Sequence, residues 1–244
     1  MSNTYNLIKN RNYNAVLIEG DATKYKILCN NIPQINCKKV LRFVDYGSNS
    51  LDNILQETNI PKNFDFLSID IDGCDYYIIE SLSVYHPKIV CIEFNPTVPN
   101  EVFFVQRKDF AIKQGASARA IVDLAKSKGY GLVALTETNL IFVQDGYLSD
   151  NLFDEVTLDN LRDDSKYRCY IFSGYDGSII MSKALPIAWH SVELQVDDIQ
   201  FLPKFLRKYR LDYNFIQELC FKIFLGLKVP RRILPYFSKL IHKK

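Results

Sequence analysis

The sequence predicts an α/β fold built on a doubly wound, mostly parallel sheet that ends in an antiparallel hairpin. Short apolar runs alternate with helical patterns over roughly the first 145 residues. The run at 66–71 is strongly apolar on both faces, which is typical of a parallel strand covered by helices on two sides. The last two runs, 132–135 and 140–143, are four residues apart, which is too close for an intervening helix. They therefore predict a β-hairpin whose final strand is antiparallel.

The individual elements follow from local signals. Asp21 and Ser50 are residue types that cap helix starts, and Gly129 suits the position just after a helix end. Strands are predicted at 15–18, 40–44, 66–71 and 89–94, and helices at 21–29, 51–56, 76–84 and 117–128.

The chain is predicted to comprise three segments. Residues 1–146 form the α/β domain. Residues 147–200 form an accessory segment with a small β-hairpin, in which the runs 170–172 and 178–181 flank a turn from Gly174 to Gly177. Residues 201–244 form a basic, amphipathic helical tail, with apolar residues from Phe215 to Leu227 at helical spacing.

Composition and charge set limits on the partners. The 244 residues are 48% apolar and 24% charged, which excludes a disordered chain and a disulfide-rich miniprotein. Residues 1–200 carry 19 basic and 26 acidic side chains, whereas residues 201–244 carry 11 basic and 2 acidic. The tail is therefore expected to meet an acidic partner. An anionic membrane surface, the protein's own acidic body and a second copy in a homodimer remain open. Nucleic acid is not expected, because the aromatic residues lie among aliphatic ones.

The six cysteines form no CxxC pair and lie mostly in apolar surroundings, so reduced, buried thiols are expected. The first residues contain no apolar run typical of a signal peptide, and no stretch reaches 18 uncharged apolar residues. These features predict a cytoplasmic protein, with peripheral membrane attachment through the tail as an alternative.

Acidic residues follow three of the predicted strands. Glu19 ends the first, Asp70 and Asp72 end the third, and Glu93 ends the fourth. Ligands of doubly wound sheets bind at the carboxyl ends of the strands, and alternation would place Asp70 and Asp72 on one side. Such a cleft would hold a cation or a sulfonium-bearing, hydroxyl-rich ligand. A helix-capping turn around Glu19 and an N-terminal helix charge at Asp75 are the structural alternatives. No phosphate-binding GxxxxGKS loop is present.

A second enzyme class also uses such acids. An Asp-x-Asp after an apolar strand can hold a divalent metal and a nucleotide-sugar diphosphate, as in a glycosyltransferase. The pair Asp70 and Asp72 therefore leaves a metal-dependent glycosyltransferase open.

Residues 64–80, FDFLSIDIDGCDYYIIE, resemble the central motif of the FkbM-like S-adenosylmethionine-dependent methyltransferases. The segments VLIEGD at 16–21 and PKIVCIEFNP at 87–96 resemble neighbouring parts of that family. The segments at 2–4, 115–130 and 139–143 also fit, so the resemblance covers roughly residues 2–145. The flanking Ser68 and the sequence after Asp72 fit this pattern better than the glycosyltransferase pattern.

The resemblance implies a Rossmann-like methyltransferase sheet, S-adenosylmethionine as cofactor, no metal, and O-methylation of a hydroxylated small-molecule or glycan acceptor such as a sugar or glycolipid. It implies three groups of site residues. Those expected to bind the cofactor are Glu19, Gly20, Asp21, Asp45 and Asp70, with Glu19 on the ribose and Asp45 near the adenine. Those expected to be catalytic are Asp70, Asp72 and Asp75, with Asp72 orienting or deprotonating the acceptor hydroxyl. Those expected to bind the substrate are Glu93 and Asn95. His190 is expected with them on the separate ground of its pairing with Trp189, since it lies outside the residues that carry the resemblance.

The family begins with a strand and a Gly-rich loop, and Met1 stands where that loop should end. The strand would lie between those ending at Glu19 and Asp70, so its loss would leave two unpaired inner edges. The true start lies upstream, or the chain is a degenerate relative, or another segment replaces the strand. A truncated, non-enzymatic membrane or scaffolding module is thus a third hypothesis.

The pair Trp189 and His190 holds the only Trp and one of three His. It could bind a sugar face or act as an acid/base, but a packed Trp beside a hydrogen-bonded His is the favoured expectation.

Overall fold

The computed structural model describes residues 3–33, 36–148 and 156–228. The chain divides into two compact units, Met1–Lys166 and Tyr167–Lys244, which we call the first and the second unit. The division falls later than the predicted boundary at 146.

The first unit alternates helices with strands. Its helices and strands are α1 Tyr5–Arg11, β1 Ala15–Glu19, α2 Ala22–Asn31, β2 Cys37–Leu41, α3 Leu51–Gln56, β3 Phe66–Ile69, α4 Asp75–Ser81, β4 Ile89–Glu93, α5 Ala118–Ser127, β5 Tyr130–Leu135, β6 Asn139–Gln144 and α6 Leu158–Leu161. The β2 strand begins and ends three residues before the predicted strand at 40–44.

The strands of the first unit form two sheets in the described residues. Strands β1 and β2 pair in parallel, and β3, β4, β6 and β5 form a second sheet in that order. In the second sheet β3 and β4 are parallel, and β6 is antiparallel to both β4 and β5. The mixed α/β class and the antiparallel hairpin are therefore confirmed. In the part of the chain that the structure describes, the strands do not form the single sheet that was predicted, and β1 and β3 each pair with one strand there.

The core lies mainly between the larger sheet and helices α3, α4 and α5. The largest fully buried side chains there include Phe142, Ile92 and Ile78. Strand β1 contributes to two apolar clusters, because its side chains alternate between faces. Val16 and Ile18 pack against the main core, whereas Ala15 and Leu17 pack against a smaller cluster of Ile8, Ile32 and Cys37.

The predicted caps hold the helix ends. Asp21 Oδ1 accepts the backbone N–H groups of Thr23 and Lys24 at the start of α2. Ser50 and Ser117 cap α3 and α5 in the same way, and Gly129, with φ +79°, follows α5.

A polar clamp joins α6 and the residues after it to the loop that follows β4. The Arg162 guanidinium donates to the carbonyls of Pro96 and Val98 and to Asn100 Oδ1, and it lies 5.3 Å from the centroid of the Phe94 ring. The buried Asp164 carboxylate accepts the Asn100 backbone N–H at 2.7 Å. This clamp attaches residues 158–164 to the first unit, so the unit extends beyond residue 146.

The described part of the second unit, residues 167–228, consists of two short hairpins, four 3₁₀ turns and one longer helix. Its elements are β7 Ile171–Ser173, β8 Ile179–Met181, β9 Leu185–Ile187, β10 Val192–Leu194 and α7 Phe215–Lys228, with 3₁₀ turns at Ala188–His190, Val196–Ile199, Lys204–Leu206 and Arg210–Asp212. The predicted hairpin is confirmed, because β7 and β8 pair in antiparallel fashion around Gly174–Gly177. The prediction of a helical tail from residue 201, with a break at Pro203, is wrong between Pro203 and α7, where short 3₁₀ turns stand in place of α-helix.

Three further expectations concern burial and the membrane. Cys37, Cys74 and Cys91 are buried, and the other three cysteines are only partly buried. In the described residues, no helix combines the length and apolarity that crossing a membrane requires. The part of the predicted basic tail at 229–244 lies outside the described residues.

Candidate functional site

Three carboxylates converge at the carboxyl ends of β3 and β4. One oxygen from each of Asp70, Asp72 and Glu93 lies within 4.8 Å of the others. We call these residues the acid trio. Asp70 and Asp72 are exposed, and Glu93 is half-buried. The trio could hold a metal ion or a cationic ligand, because hard cations prefer carboxylate oxygens. Glu19 ends β1 in the other sheet and is not one of these three.

The trio forms through a turn, not through strand alternation. Strand β3 ends at Ile69, and Asp72 has left-handed backbone dihedrals with φ +56°. An Asp tolerates this conformation better than most side chains, yet it remains a strained position. The following Gly73 has φ +139°, and a Cβ there would lie 2.9 Å from Gln106 Oε1 and from the Ile112 carbonyl oxygen. The Asp72 carboxylate is thus held by a backbone shape that other residues could not easily adopt.

Asp75 stabilises this turn through hydrogen bonds to its backbone. Its carboxylate is buried and accepts the backbone N–H groups of Ile71 at 2.9 Å and Gly73 at 3.0 Å. Burial raises the pKa of Asp75, while these two hydrogen bonds oppose the rise. These hydrogen bonds indicate that Asp75 stabilises the loop, which is a structural role of the kind considered for it above. Its predicted catalytic role stays a prediction.

Burial and repulsion between carboxylates raise the pKa values of Asp70 and Glu93. Burial, followed by the charges of Asp70, Asp75 and Asp72, raises the pKa of Glu93 to about 7. Burial, followed by the charge of Asp72, also raises the pKa of Asp70. At neutral pH the trio therefore carries fewer than three charges, and Glu93 is able to exchange a proton there.

Gln106 organises the loop that faces Gly73. Its buried amide donates to the Ile112 carbonyl at 2.9 Å, and its Oε1 accepts the backbone N–H groups of Gln114 and Gly115. The predicted substrate residue Asn95 supports the same loop, because its Nδ2 donates to the Gln114 carbonyl at 2.8 Å. Sequence reasoning missed Gln106, since a single Gln in a polar loop carries no recognisable signal.

An aromatic strip extends from the end of β2 to α4. The rings of Tyr46 and Phe110 stack with centroids 5.0 Å apart, and Phe43 meets Phe110 edge-on at 4.9 Å. Tyr77 meets Tyr46 at 6.1 Å, and Lys108 Nζ lies 4.5 Å from the Tyr46 centroid. Sequence reasoning missed the strip as well, because its members come from three separate segments.

The predicted cofactor residues occupy two loops. Glu19 Oε1 accepts the Asp21 backbone N–H at 2.8 Å, so its carboxylate is held at the end of β1. Gly20 lies against Phe43, whose Cδ2 would be 3.1 Å from a Cβ at that position. Asp45 Oδ1 accepts the backbone N–H groups of Gly47 and Asn49, which closes the loop after β2.

His190 belongs to the second unit. Its side chain is exposed in the 3₁₀ turn Ala188–His190. The neighbouring Trp189 is 67% exposed, so the expectation of a packed Trp is wrong. The predicted role of His190 in substrate binding stays a prediction.

Comparison with known families gives one match. Residues 44–131 match the model described as the methyltransferase FkbM domain. This segment contains the acid trio, Asp45, Asp75 and Asn95, and the match confirms the family resemblance over these residues. The predicted site residues Glu19, Gly20, Asp21 and His190 lie outside it. No curated protein and no solved structure matches the chain.

Proposed function

Because residues 44–131 match a methyltransferase FkbM domain, we propose that the protein is an S-adenosylmethionine-dependent methyltransferase acting on a hydroxyl oxygen of a sugar or glycolipid acceptor. The observation that carries the proposal is the convergence of Asp70, Asp72 and Glu93 within 4.8 Å inside the matched segment. An enzyme of this kind needs a rim that attracts a cationic donor and orients a hydroxyl group, and three carboxylates at one sheet edge meet both needs.

The residues present fit S-adenosylmethionine, which supplies a methyl group activated on a positively charged sulfur. The acid trio is complementary to a sulfonium charge. Glu19, held at the end of β1, offers carboxylate oxygen to a ribose diol. Phe43 is 55% exposed beside Gly20 and provides an apolar ring for a nucleobase. The cofactor roles of Asp21 and Asp45 stay predictions, since one oxygen of each already serves its own loop.

The acceptor hydroxyl loses a proton during methyl transfer, and a carboxylate of the acid trio can accept it. Asp72, exposed on its strained turn, orients the hydroxyl by accepting its hydrogen bond. Glu93, with a pKa of about 7, takes the proton on its carboxylate near neutral pH. Asp70 adds negative charge beside the cationic donor. Positioning carries most of the remaining rate, because methyl transfer needs little beyond in-line approach.

Calorimetric titration of the full chain with S-adenosylhomocysteine tests the proposal. We expect saturable binding that Glu19→Gln weakens by roughly tenfold or more, because a charged hydrogen bond to the ribose is lost. Asp123→Asn is the matched control, since Asp123 pairs with Arg119 on the exposed side of α5. A folded wild-type protein that shows no saturable binding would overturn the proposal.

Titration with a second ligand, a UDP-sugar, distinguishes the glycosyltransferase from the degenerate relative. The trio's oxygen ligands also suit manganese, so binding of a UDP-sugar only in the presence of Mn²⁺ would favour the glycosyltransferase. The family match supports methyl transfer instead. A protein that binds neither ligand would be a degenerate relative.

A further inference from the structure

The last described helix, α7, carries an apolar stripe on its exposed side. The stripe residues are Phe215, Ile216, Leu219, Ile223 and Leu227, and each is at least 50% exposed. At about 3.6 residues per turn these positions fall within roughly a third of the helix circumference. We call them the α7 stripe. Contiguous exposed apolar surface of this kind marks a site of interaction more often than scattered apolar residues do.

The opposite side of α7 is packed within the second unit. Phe221 meets Tyr213 with ring centroids 5.8 Å apart, and Phe224 meets Phe201 at 5.4 Å. Gln217 Nε2 donates to the Phe205 carbonyl at 3.0 Å. These contacts fix which side of the helix faces outward, so the exposure of the stripe follows from the fold of the unit.

The segment of the sequence that contains the stripe is strongly basic. Residues 201–244 contain 11 Lys and Arg but only 2 Asp and Glu, a net charge of +9. Of the two acids, Glu218 is already paired with Arg210 at 2.9 Å and lies 3.7 Å from Lys222. At about 3.6 residues per turn, the exposed Lys222 borders the stripe beside Phe215, whereas Lys228 lies on the opposite side of the helix.

We propose that the α7 stripe binds the surface of an anionic lipid bilayer, with the helix lying in the plane of the membrane. Apolar side chains on one face and cations beside them are the features that such helices use. α7 has 14 residues and does not span a bilayer. A second copy is a poorer occupant, because it would bring a second segment of charge +9 against the first. Single-stranded nucleic acid is also disfavoured, since four of the five stripe residues are aliphatic and give bases no ring to stack on.

Co-sedimentation of the full chain with vesicles tests this proposal. We expect binding to phosphatidylcholine vesicles that contain phosphatidylserine, weaker binding to phosphatidylcholine alone, and loss of binding as salt is raised. The double variant Leu219→Ser, Ile223→Ser should bind the anionic vesicles more than about tenfold less tightly, since two apolar side chains leave the interface. Val192→Ser is the matched control, because Val192 is an equally exposed apolar residue that belongs to β10 and not to α7.

Three outcomes would overturn the proposal. One is a wild-type protein that ignores anionic vesicles. Another is a double variant that binds them as well as the wild type. The third is a double variant that loses a dimer measured by light scattering while vesicle binding is unchanged. Circular dichroism of each variant confirms that the fold is retained. The result does not depend on the proposed methyl transfer, because donor binding is measured separately in the first unit.

Discussion

The two units use their apolar residues in opposite ways. In the first unit the apolar side chains of β3, β4 and β6 are enclosed by α3, α4 and α5. In the described part of the second unit, Leu206 is the single buried apolar side chain, while Trp189, Leu211 and Phe215 are largely exposed. The difference indicates that burial stabilises the first unit, whereas much of the apolar surface of the second is left for contact with something else.

The sharpest test of this comparison truncates one large side chain in each unit. Phe142→Ala should lower the free energy of unfolding by about 3–5 kcal/mol, because Phe142 is fully buried in the larger sheet. Trp189→Ala should change it by about 0.5 kcal/mol or less, since Trp189 is exposed. Urea denaturation followed by circular dichroism measures both. Equal losses in the two variants would contradict the comparison.

A glycine in each unit provides a second test, with effects of opposite sign. Gly73→Ala should destabilise by about 1–3 kcal/mol, because φ is +139° and the new Cβ meets the Ile112 carbonyl. Gly226→Ala should stabilise by about 1 kcal/mol, because Gly226 lies inside α7 with open space around it. Thermal unfolding of both variants is the measurement. A neutral Gly73→Ala would show that the turn bearing Asp72 can relax.

A third test is a pH dependence confined to the first unit. The pKa of Glu93 is raised from its ordinary 4.5 to about 7, so the folded state binds its proton more tightly than the unfolded chain. Stability from this group is therefore present at low pH and is lost as pH rises through about 7. The melting temperature of wild type should fall between about pH 5 and about pH 8 more than that of Glu93→Gln. Parallel curves for the two proteins would place the pKa of Glu93 near its ordinary value.

Much of the first unit was predictable because its signals are local. The capping residues Asp21 and Ser50 predict helix starts, and the apolar run at 89–94 predicts a strand, from neighbouring residues in the sequence alone. The β2 strand was placed three residues late, since Lys38 and Lys39 interrupt the apolar pattern. The sequence analysis predicted two unpaired inner strand edges but not a division into two sheets. Strand pairing depends on contacts between distant segments, which the local sequence pattern does not reveal.

The acid trio shows where such prediction holds and where it fails. Strand ends correctly indicated that Asp70, Asp72 and Glu93 would meet. The reason differed, because a left-handed residue and a buried Asp75, not alternation, bring Asp72 into place. The clamp around Arg162 and the loop around Gln106 depend on contacts between distant segments, which composition and periodicity do not reveal.

The separation of β1 from β3 bears on how the first unit opens. We expect amides of the smaller sheet to exchange with deuterium before those of the β4–β6 ladder, because in the described residues β1 pairs with β2 alone. Glu19 would then leave together with β1 while the acid trio stays assembled on the larger sheet. The affinity for a ribose-bearing ligand would then depend on the fraction of molecules in which both sheets are intact. Binding of such a ligand would slow the exchange of β1 amides more than that of other amides.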